Sequence, residues 1–376
     1  MTQYPSGRPT HCVIDHAALR WNLQQIRAKV GAQVKILPMV KANAYGHGAV
    51  ATAKTLLAAG ADAFGVATLD EGIELRQARI EAPILIVGGV YADQLDAFLA
   101  HSLTPALYDL EGLTALDAAV AKRGASLNVH VKIDTGMGRL GLPADDIDGW
   151  LAHLQRLKAL KVEGVFSHFS TAESVDGDYT QKQLKVFTAM AARLRAAGMA
   201  PLFHFANSAA TITRPAAYFD MVRPGIMLYG AYPSADMAQQ ISLRPVLSWR
   251  TNIIQLKKVP PGTSISYGQT FVTRRESLIA TLPVGYADGY PRLFSNRGEA
   301  LVRGRRAPVA GRVCMDLTML DVTDIRDVQR GDEVVLLGRQ NGAAISADEL
   351  AGWANTISYE IFTSISARVP RIHINC

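Results

Sequence analysis

VKILPMVKANAYGHG, residues 34–48, opens the pattern that decides the fold. VKILPMV reads as a buried strand, a lysine ends it, and the chain then turns through Asn43, Tyr45, Gly46, His47 and Gly48. AVATAKTLLAAG (49–60) follows with the composition and spacing of a helix. Strand, tight turn and helix in direct succession make one βα unit. Lys41 is the odd member. Either it reaches solvent where a strand stops, or it is held in a pocket for chemistry.

The unit recurs. DAFGVAT (62–68), PILIVGG (83–89), LTPALY (103–108), SLNVHVKI (126–133), KVEGVFSH (161–168), PLFHFAN (201–207) and DMVRPGI (220–226) read as further short strands. Helical segments such as DEGIELRQARI (70–80) and DYTQKQLKVFTAMAARLRAAG (178–198) lie between them, the last with Gly198 as its C-cap. Eight buried strands alternating with crossover helices predict an α/β fold and a closed (β/α)₈ TIM barrel; an open doubly wound sheet is the rival from pattern alone. After about residue 240 the texture changes to short β-branched runs with Pro-Gly and Arg-Gly punctuation, a mainly β module. One late helix, roughly 346–357, opens on Ser346 with Glu349 as a capping box. The expected division is a barrel over 1–240 and a β-rich C-terminal domain over 241–376, with HCVID (11–15) able to belong to either.

Composition narrows the function classes. The chain has 376 residues, 49% hydrophobic, enough for a large core and two domains. No apolar run approaches the roughly 20 residues of a membrane helix, and MTQYPSGRPTHCVID lacks the apolar segment of a secretory signal. Cys12, Cys314 and Cys376 are too scattered for a disulfide framework or a metal cluster, so a cytoplasmic, reducing setting is expected. The net charge of +6 is dispersed; RGRR (303–306) is the densest cluster and no aromatic residues interleave with it. Neither nucleic acid nor a membrane is an expected partner.

In a parallel barrel the loops after the strands share one rim, where catalytic groups gather. Lys41 follows the first run, Arg139 lies in DTGMGRLG after the fifth, His168 closes the sixth, Asn207 and Ser208 the seventh, and Arg223 and Gly225 sit at the eighth. One lysine, two arginines, a histidine and small hydroxyl or glycine positions suit an anionic ligand. No acidic pair suggests glycoside chemistry, and no His/Cys/Asp set has metal-ligand spacing. A turn rich in backbone N–H groups can hold a phosphate or carboxylate, and a pocket lysine beside it can form a Schiff base with a carbonyl cofactor. Each of these residues also has an ordinary reading: a solvated lysine, a satisfied core histidine, a loop tyrosine.

VKANAYGHG resembles the pyridoxal-phosphate attachment motif of the alanine racemases, a family of fold-type III enzymes. KIDTGMGRLG (132–141), EGVFSHFSTAE (163–173), FANSAA (205–210), VRPGIMLYG (222–230), SISYGQTF (264–271), VGYADGYPR (284–292), GRVCMDLTMLDV (311–322) and ISYEIFTSISARVPR (357–371) resemble that family's motifs in the family's order. The resemblance implies a barrel joined to a β domain, and a head-to-tail homodimer whose sites lie between one subunit's barrel and the other's β domain. It implies Lys41 as the covalent attachment point of pyridoxal 5'-phosphate and one catalytic base, with Tyr267 from the partner as the second. Tyr45, Ser208, Gly225, Ile226 and Tyr359 match phosphate-holding positions, and Asn207 is counted with the cofactor-binding set. Arg223 matches the arginine facing the pyridine nitrogen. Arg139 matches the one contacting the cofactor's phenolic oxygen and the substrate carboxylate, and the Met315 amide from the partner would bind that carboxylate too. His168 would hydrogen-bond the partner tyrosine and support Arg223. Tyr286 and Tyr359 resemble residues narrowing the entrance, with Asp316 also assigned there. Lys132 matches a lysine carbamylated in many members, where it orients the arginine here numbered Arg139. Phe166-Ser167 departs from the methionine- or threonine-like pair expected before His168.

The expected activity is interconversion of L-alanine and D-alanine by two opposed bases, supplying D-alanine for peptidoglycan. A broad-specificity racemase is the nearest alternative; a decarboxylase of the same architecture and a non-catalytic cofactor-binding barrel are others. The last resembles the barrel alone, whereas this chain carries a β domain with Tyr267 and the Met315 loop.

Overall fold

A computed structural model describes residues 7–91, 93–174 and 177–376. Residues 1–6, part of the stretch read as lacking a signal, lie outside the described residues. The described chain forms two units, one of residues 19–44 and 49–244, the other of 7–18, 45–48 and 245–376.

The first unit contains the barrel. Its strands are β1 Lys35–Ile36, β2 Phe64–Val66, β3 Ile84–Ile86, β4 Thr104–Leu107, β5 Leu127–Asp134, β6 Leu160–Phe166, β7 Leu202–His204 and β8 Met221–Val222. Strands β2 to β8 pair with their neighbours in parallel, and β8 pairs with β1 through Met221↔Lys35 and Val222↔Ile36. A parallel bridge, Met39↔Gly65, joins the chain after β1 to β2, so the ring closes and the open sheet is excluded. Strands β2, β3 and β4 are buried along their whole length, as parallel strands covered on both faces must be.

The ladders are shorter than the apolar runs suggested, because the strand ends leave the sheet to build loops. In VKILPMV only Lys35–Ile36 is regular strand; Pro38 has no N–H to give and instead accepts from Gly65. Helices cover Ala49–Ala58, Leu69–Gln77 and Asp178–Ala196. The last has Ala197 as its C-cap, and Gly198, expected there, follows at φ +79°, the left-handed geometry glycine tolerates.

The second unit is mainly β. His11–Asp15 sits between antiparallel Leu247–Asn252 and parallel Arg371–Ile374, which resolves the open question about HCVID. Glu333–Gln340, Glu299–Val302 and Arg305–Pro308 extend that sheet. A three-stranded sheet orders Gln255–Val259, Ser277–Leu282 and Thr318–Asp321. The late helix spans Ala347–Ala354, shorter than expected because Asn355 turns left-handed at φ +54° and a second helix, Ser358–Ser364, takes over. Ser346 caps it by accepting the Glu349 N–H, but the Glu349 carboxylate pairs with Arg306 instead of returning to the cap.

A cluster of two partly exposed arginines around one buried carboxylate ties this unit together. Asp288, fully buried, accepts from Arg8 Nη1 and Nη2 at 2.7 and 2.6 Å, takes the Gly285 N–H at 3.0 Å, and lies 3.5 Å from Arg368 Nε. Asp288→Asn should lower stability by about 1–2 kcal/mol, the scale of a lost charge-assisted hydrogen bond, because Arg8 and Arg368 are 24% and 46% exposed and stay solvated. Denaturant midpoints of the two proteins check this, and equal midpoints would refute it.

Candidate active site

Lys41 opens a single helical turn, Lys41–Gly46, of the wrong hand: Ala42, Asn43, Ala44 and Tyr45 have φ from +52° to +54°. Left-handed helix costs an L residue about 1–2 kcal/mol, and such strain persists only where the surroundings over-determine it. Here they do. The Ala44 N–H donates to Val40 O at 2.8 Å, Tyr229 Oη to Met39 O at 2.9 Å, and Val40 N–H to Gly65 O at 2.9 Å. Asn43 Oδ1 accepts the Ala49 N–H at 2.8 Å, and Glu71 Oε1 the Ala42 N–H at 2.6 Å. The hydrophobic run therefore ends in a charge because the barrel aims that lysine from a built turn.

Cations surround it. Burial, then the Arg139 charge, lowers the Lys41 pKa against the opposing pull of Glu71. Burial and the Arg139, Arg223 and Lys41 charges bring Lys132 down to about 8, with Asp134 opposing. His168 is held well below the ordinary imidazole range by burial and by Arg223, Arg139, Lys132 and Lys41, so it is neutral at physiological pH. Lys41, Arg139, His168 and Arg223, read separately from one rim, thus lie near enough together, with Lys132, for their charges to lower the pKa values of Lys41, Lys132 and His168. Asp134 shapes the loop before Arg139, accepting the Gly136 and Met137 N–H groups at 2.8 Å and that of Gly138 at 2.9 Å.

Arg223 is buried, and burial lowers its pKa to about 9, which leaves the guanidinium charged at neutral pH. It donates to His204 Nδ1 and O at 2.9 and 2.8 Å, to Ser167 O at 2.6 Å and to Phe205 O at 3.2 Å. Because arginine can only donate, His204 Nδ1 accepts, and a neutral His204 then carries its proton on Nε2 and gives it to His130 Nδ1 at 2.9 Å. The unexpected pair before His168 serves this layer. Phe166 stacks on His204 and lies under the Arg223 guanidinium, while Ser167 Oγ meets Thr135 Oγ1 at 2.9 Å.

Opposite chemistry gathers at the seventh and eighth strand ends. Asn207 caps Ser208–Thr213 by accepting the Ala210 N–H at 3.0 Å, and Ser208 Oγ accepts the Gly225 N–H at 2.8 Å. Gly225 leads directly into the 3₁₀ turn Ile226–Tyr229. A hydroxyl and the backbone amides that follow Arg223 are groups of the kind that hold a phosphate.

The remaining predicted residues lie in the second unit. Tyr45 and Tyr359 face each other with ring centroids 6.0 Å apart, and Gly46 beside them must be glycine: at φ +80° a Cβ would lie 2.3 Å from Phe362 O. Burial raises the Tyr45 pKa, keeping it a neutral hydroxyl. Tyr267, Met315 and Tyr286 are 71%, 53% and 42% exposed. Their loops are tied together: Tyr286 N–H donates to Cys314 O, Ala287 N–H to Met315 O, both at 3.0 Å, and Ser266 Oγ to Arg312 O at 2.7 Å. A Cβ on Gly285 would strike the Cys314 and Met315 carbonyls. Asp316 pairs with Arg368 at 2.7 Å.

Glu71, His204, His130 and Asp288 were missed from sequence. Two carried a signal. Thr68 with Glu71 three residues on is a capping-box signature, and His204 is a polar residue inside the apolar run PLFHFAN.

A closed parallel barrel that presents a lysine of lowered pKa beside Arg139, in a chain continued by a β domain, is the arrangement of barrel enzymes whose chemistry runs through an amine. The family model described as alanine racemase, N-terminal domain, matches residues 14–233, and that for the C-terminal domain matches 246–373. The alanine racemase of Halothermothrix orenii is 48% identical over 369 residues, 98% of this chain and 97% of that one. The alanine racemase of Geobacter sulfurreducens is 48% identical over 98% of each chain. The solved alanine racemase of Clostridium difficile superposes with a TM-score of 0.92 at 37% identity over 97% of this chain and 96% of that one. That of Bacillus anthracis, solved with bound L-Ala-P, superposes with a TM-score of 0.91 at 38% identity over 98% and 95%. The chain belongs to the alanine racemase family.

Proposed function

We propose that this protein interconverts L- and D-alanine with pyridoxal 5'-phosphate, as a cytoplasmic homodimer supplying D-alanine for peptidoglycan. The observation that carries the reading is Lys41: a lysine made easier to deprotonate by burial and Arg139, presented on a strained turn of the barrel whose seventh and eighth strand ends bring Ser208 and Gly225 together. Bound there, pyridoxal phosphate supplies an electron sink for the pair left behind when the α-proton departs.

The chain's own groups do the rest. Lys41 Nζ would hold the cofactor and, when free, would move the proton on one face. An unperturbed lysine or tyrosine titrates at about 10.4 or 10, so a base working near neutrality needs buried, cationic surroundings. Tyr267 of a partner copy serves the other face; its high exposure, together with that of Met315, Tyr286 and Leu317 on joined loops, supports a surface that a second copy covers. Ser208, the Gly225 and Ile226 amides, Tyr45 and Tyr359 hold the phosphate, and Asn207 fixes the turn that carries Ser208. Arg139 meets the cofactor's oxygen and the substrate carboxylate, with the partner's Met315 amide as a second donor, and Lys132 orients Arg139. Arg223 offers the ring nitrogen a donor that keeps its proton. Neutral His168 bonds the partner's tyrosine, and Tyr286 and Asp316 narrow the entrance.

The test is incubation with L-alanine in deuterated water. D-alanine carrying deuterium at the α-carbon is expected. Exchange into many other amino acids at comparable rates would favour the broad-specificity racemase, carbon dioxide release the decarboxylase, and no exchange with any amino acid the binding barrel.

A further inference from the structure

Most of what steers Lys41 is its own turn, but the Glu71 side chain also reaches that turn from another βα unit. Thr68 and Glu71 form a capping box at the start of Leu69–Gln77, with the Glu71 N–H donating to Thr68 Oγ1 at 3.4 Å. In such a box the glutamate carboxylate serves only its own helix start. Here its two oxygens divide. Oε2 accepts the Ala67 and Thr68 N–H groups at 2.7 and 3.3 Å, while Oε1 accepts the Ala42 N–H at 2.6 Å. One carboxylate thereby joins the end of β2, the start of the next helix and the residue after Lys41.

We propose that Glu71 is a positioning residue for Lys41, its carboxylate holding the first amide of the left-handed turn and so setting where the lysine stem leaves the backbone. The Ala42 amide belongs to the same peptide plane as the Lys41 carbonyl, so letting it rotate swings the Lys41 Cα–Cβ bond. Ala42 itself sits at φ +52°, a conformation alanine does not adopt unaided. The carboxylate also stands close enough to act on the Lys41 charge. Among the groups around that amine, Arg139, Lys132 and His168 bring positive or neutral character, and Glu71 is the acid that opposes Arg139. The inference rests on the reading of Lys41 as the attachment lysine.

The experiment uses the full chain freed of cofactor. Pyridoxal phosphate is titrated in across a pH series; amine and aldehyde condense with loss of water, borohydride delivers hydride to the resulting C=N bond, and the labelled peptide is mapped. Glu71→Gln keeps the shape but loses the charge and half the acceptors. It should weaken attachment about tenfold, the scale of one charge-assisted hydrogen bond. It should also move the pH midpoint of attachment downward, because the acid opposing Arg139 is gone. Thr68→Ala removes the ordinary cap and leaves the carboxylate in place, so it should melt earlier yet attach with the parent's affinity and midpoint. Glu71→Asp, which is one methylene short but still charged, should lose affinity with little change of midpoint, and it serves if the glutamine variant does not fold. The positioning role is overturned if Glu71→Gln attaches the cofactor like the parent, or if Thr68→Ala weakens attachment equally. A label in the parent protein on a residue other than Lys41 would instead overturn the functional reading beneath it.

Discussion

Lys41→Ala should lower racemisation by about four orders of magnitude, the upper range for a single acid–base group, because on the proposed reading it loses the covalent handle and one of two bases together. Its melting temperature should not fall, since Lys41 only begins the turn and the bonds described above that hold it run through backbone groups and the Glu71, Asn43 and Tyr229 side chains. Tyr267→Ala should also be inactive, for the opposite face. The two variants discriminate how the site is assembled. If Tyr267 serves a partner's barrel, mixed and exchanged subunits form a heterodimer in which one site carries both wild-type residues. With random exchange, about a quarter of all sites are then intact, and activity recovers to about that level. No recovery despite demonstrated subunit exchange would place the whole site within one chain.

Arg223→Glu should cost racemisation about a hundredfold to a thousandfold, the scale on which one preorganised electrostatic contact acts, while side reactions such as transamination rise. Arginine holds its proton even when burial lowers its pKa to about 9, so a pyridine nitrogen held against it, as proposed above, would be left largely unprotonated and would make a weak electron sink. A glutamic acid there can surrender its proton, strengthening the sink and opening routes that a weak sink suppresses. The replacement also strips donors from His204, Ser167 and Phe205, so thermal melting and cofactor binding must be measured beside activity. Faster racemisation with no gain in pyruvate formation would refute this account of Arg223.

Much of the barrel was legible because a closed parallel sheet buries both faces of each strand. Burial of that kind writes itself as short apolar runs at even spacing, and each of the eight expected strands is present. The rim was legible for a related reason: a charged residue where such a run ends is conspicuous, as Lys41 and Arg223 are. Strand ends were less readable. Runs such as VKILPMV continue past the ladder because loop residues under the barrel mouth are as apolar as the strand itself.

The helix ending at Ala354 shows a different limit. Ser346 and Glu349 have the spacing of a capping box, but Arg306, distant in sequence, takes the Glu349 carboxylate. A local motif competes with any long-range partner of stronger charge, and sequence does not reveal which wins. Glu71 shows the converse, a local motif intact but carrying a second bond to another unit of the barrel.

By itself the sequence determined the βα repeat, the change to a β-rich second half, and the residue types available for an amine-based chemistry on an anionic ligand. Those follow from periodicity and composition, which are properties of neighbours along the chain. Only the tertiary structure decided that residues 42–45 turn left-handed, that Arg223 donates to His204 and to backbone carbonyls, and that Asp288 is buried under Arg8. Each depends on groups brought together from distant positions, where burial and opposing charges, not local preference, set both conformation and protonation.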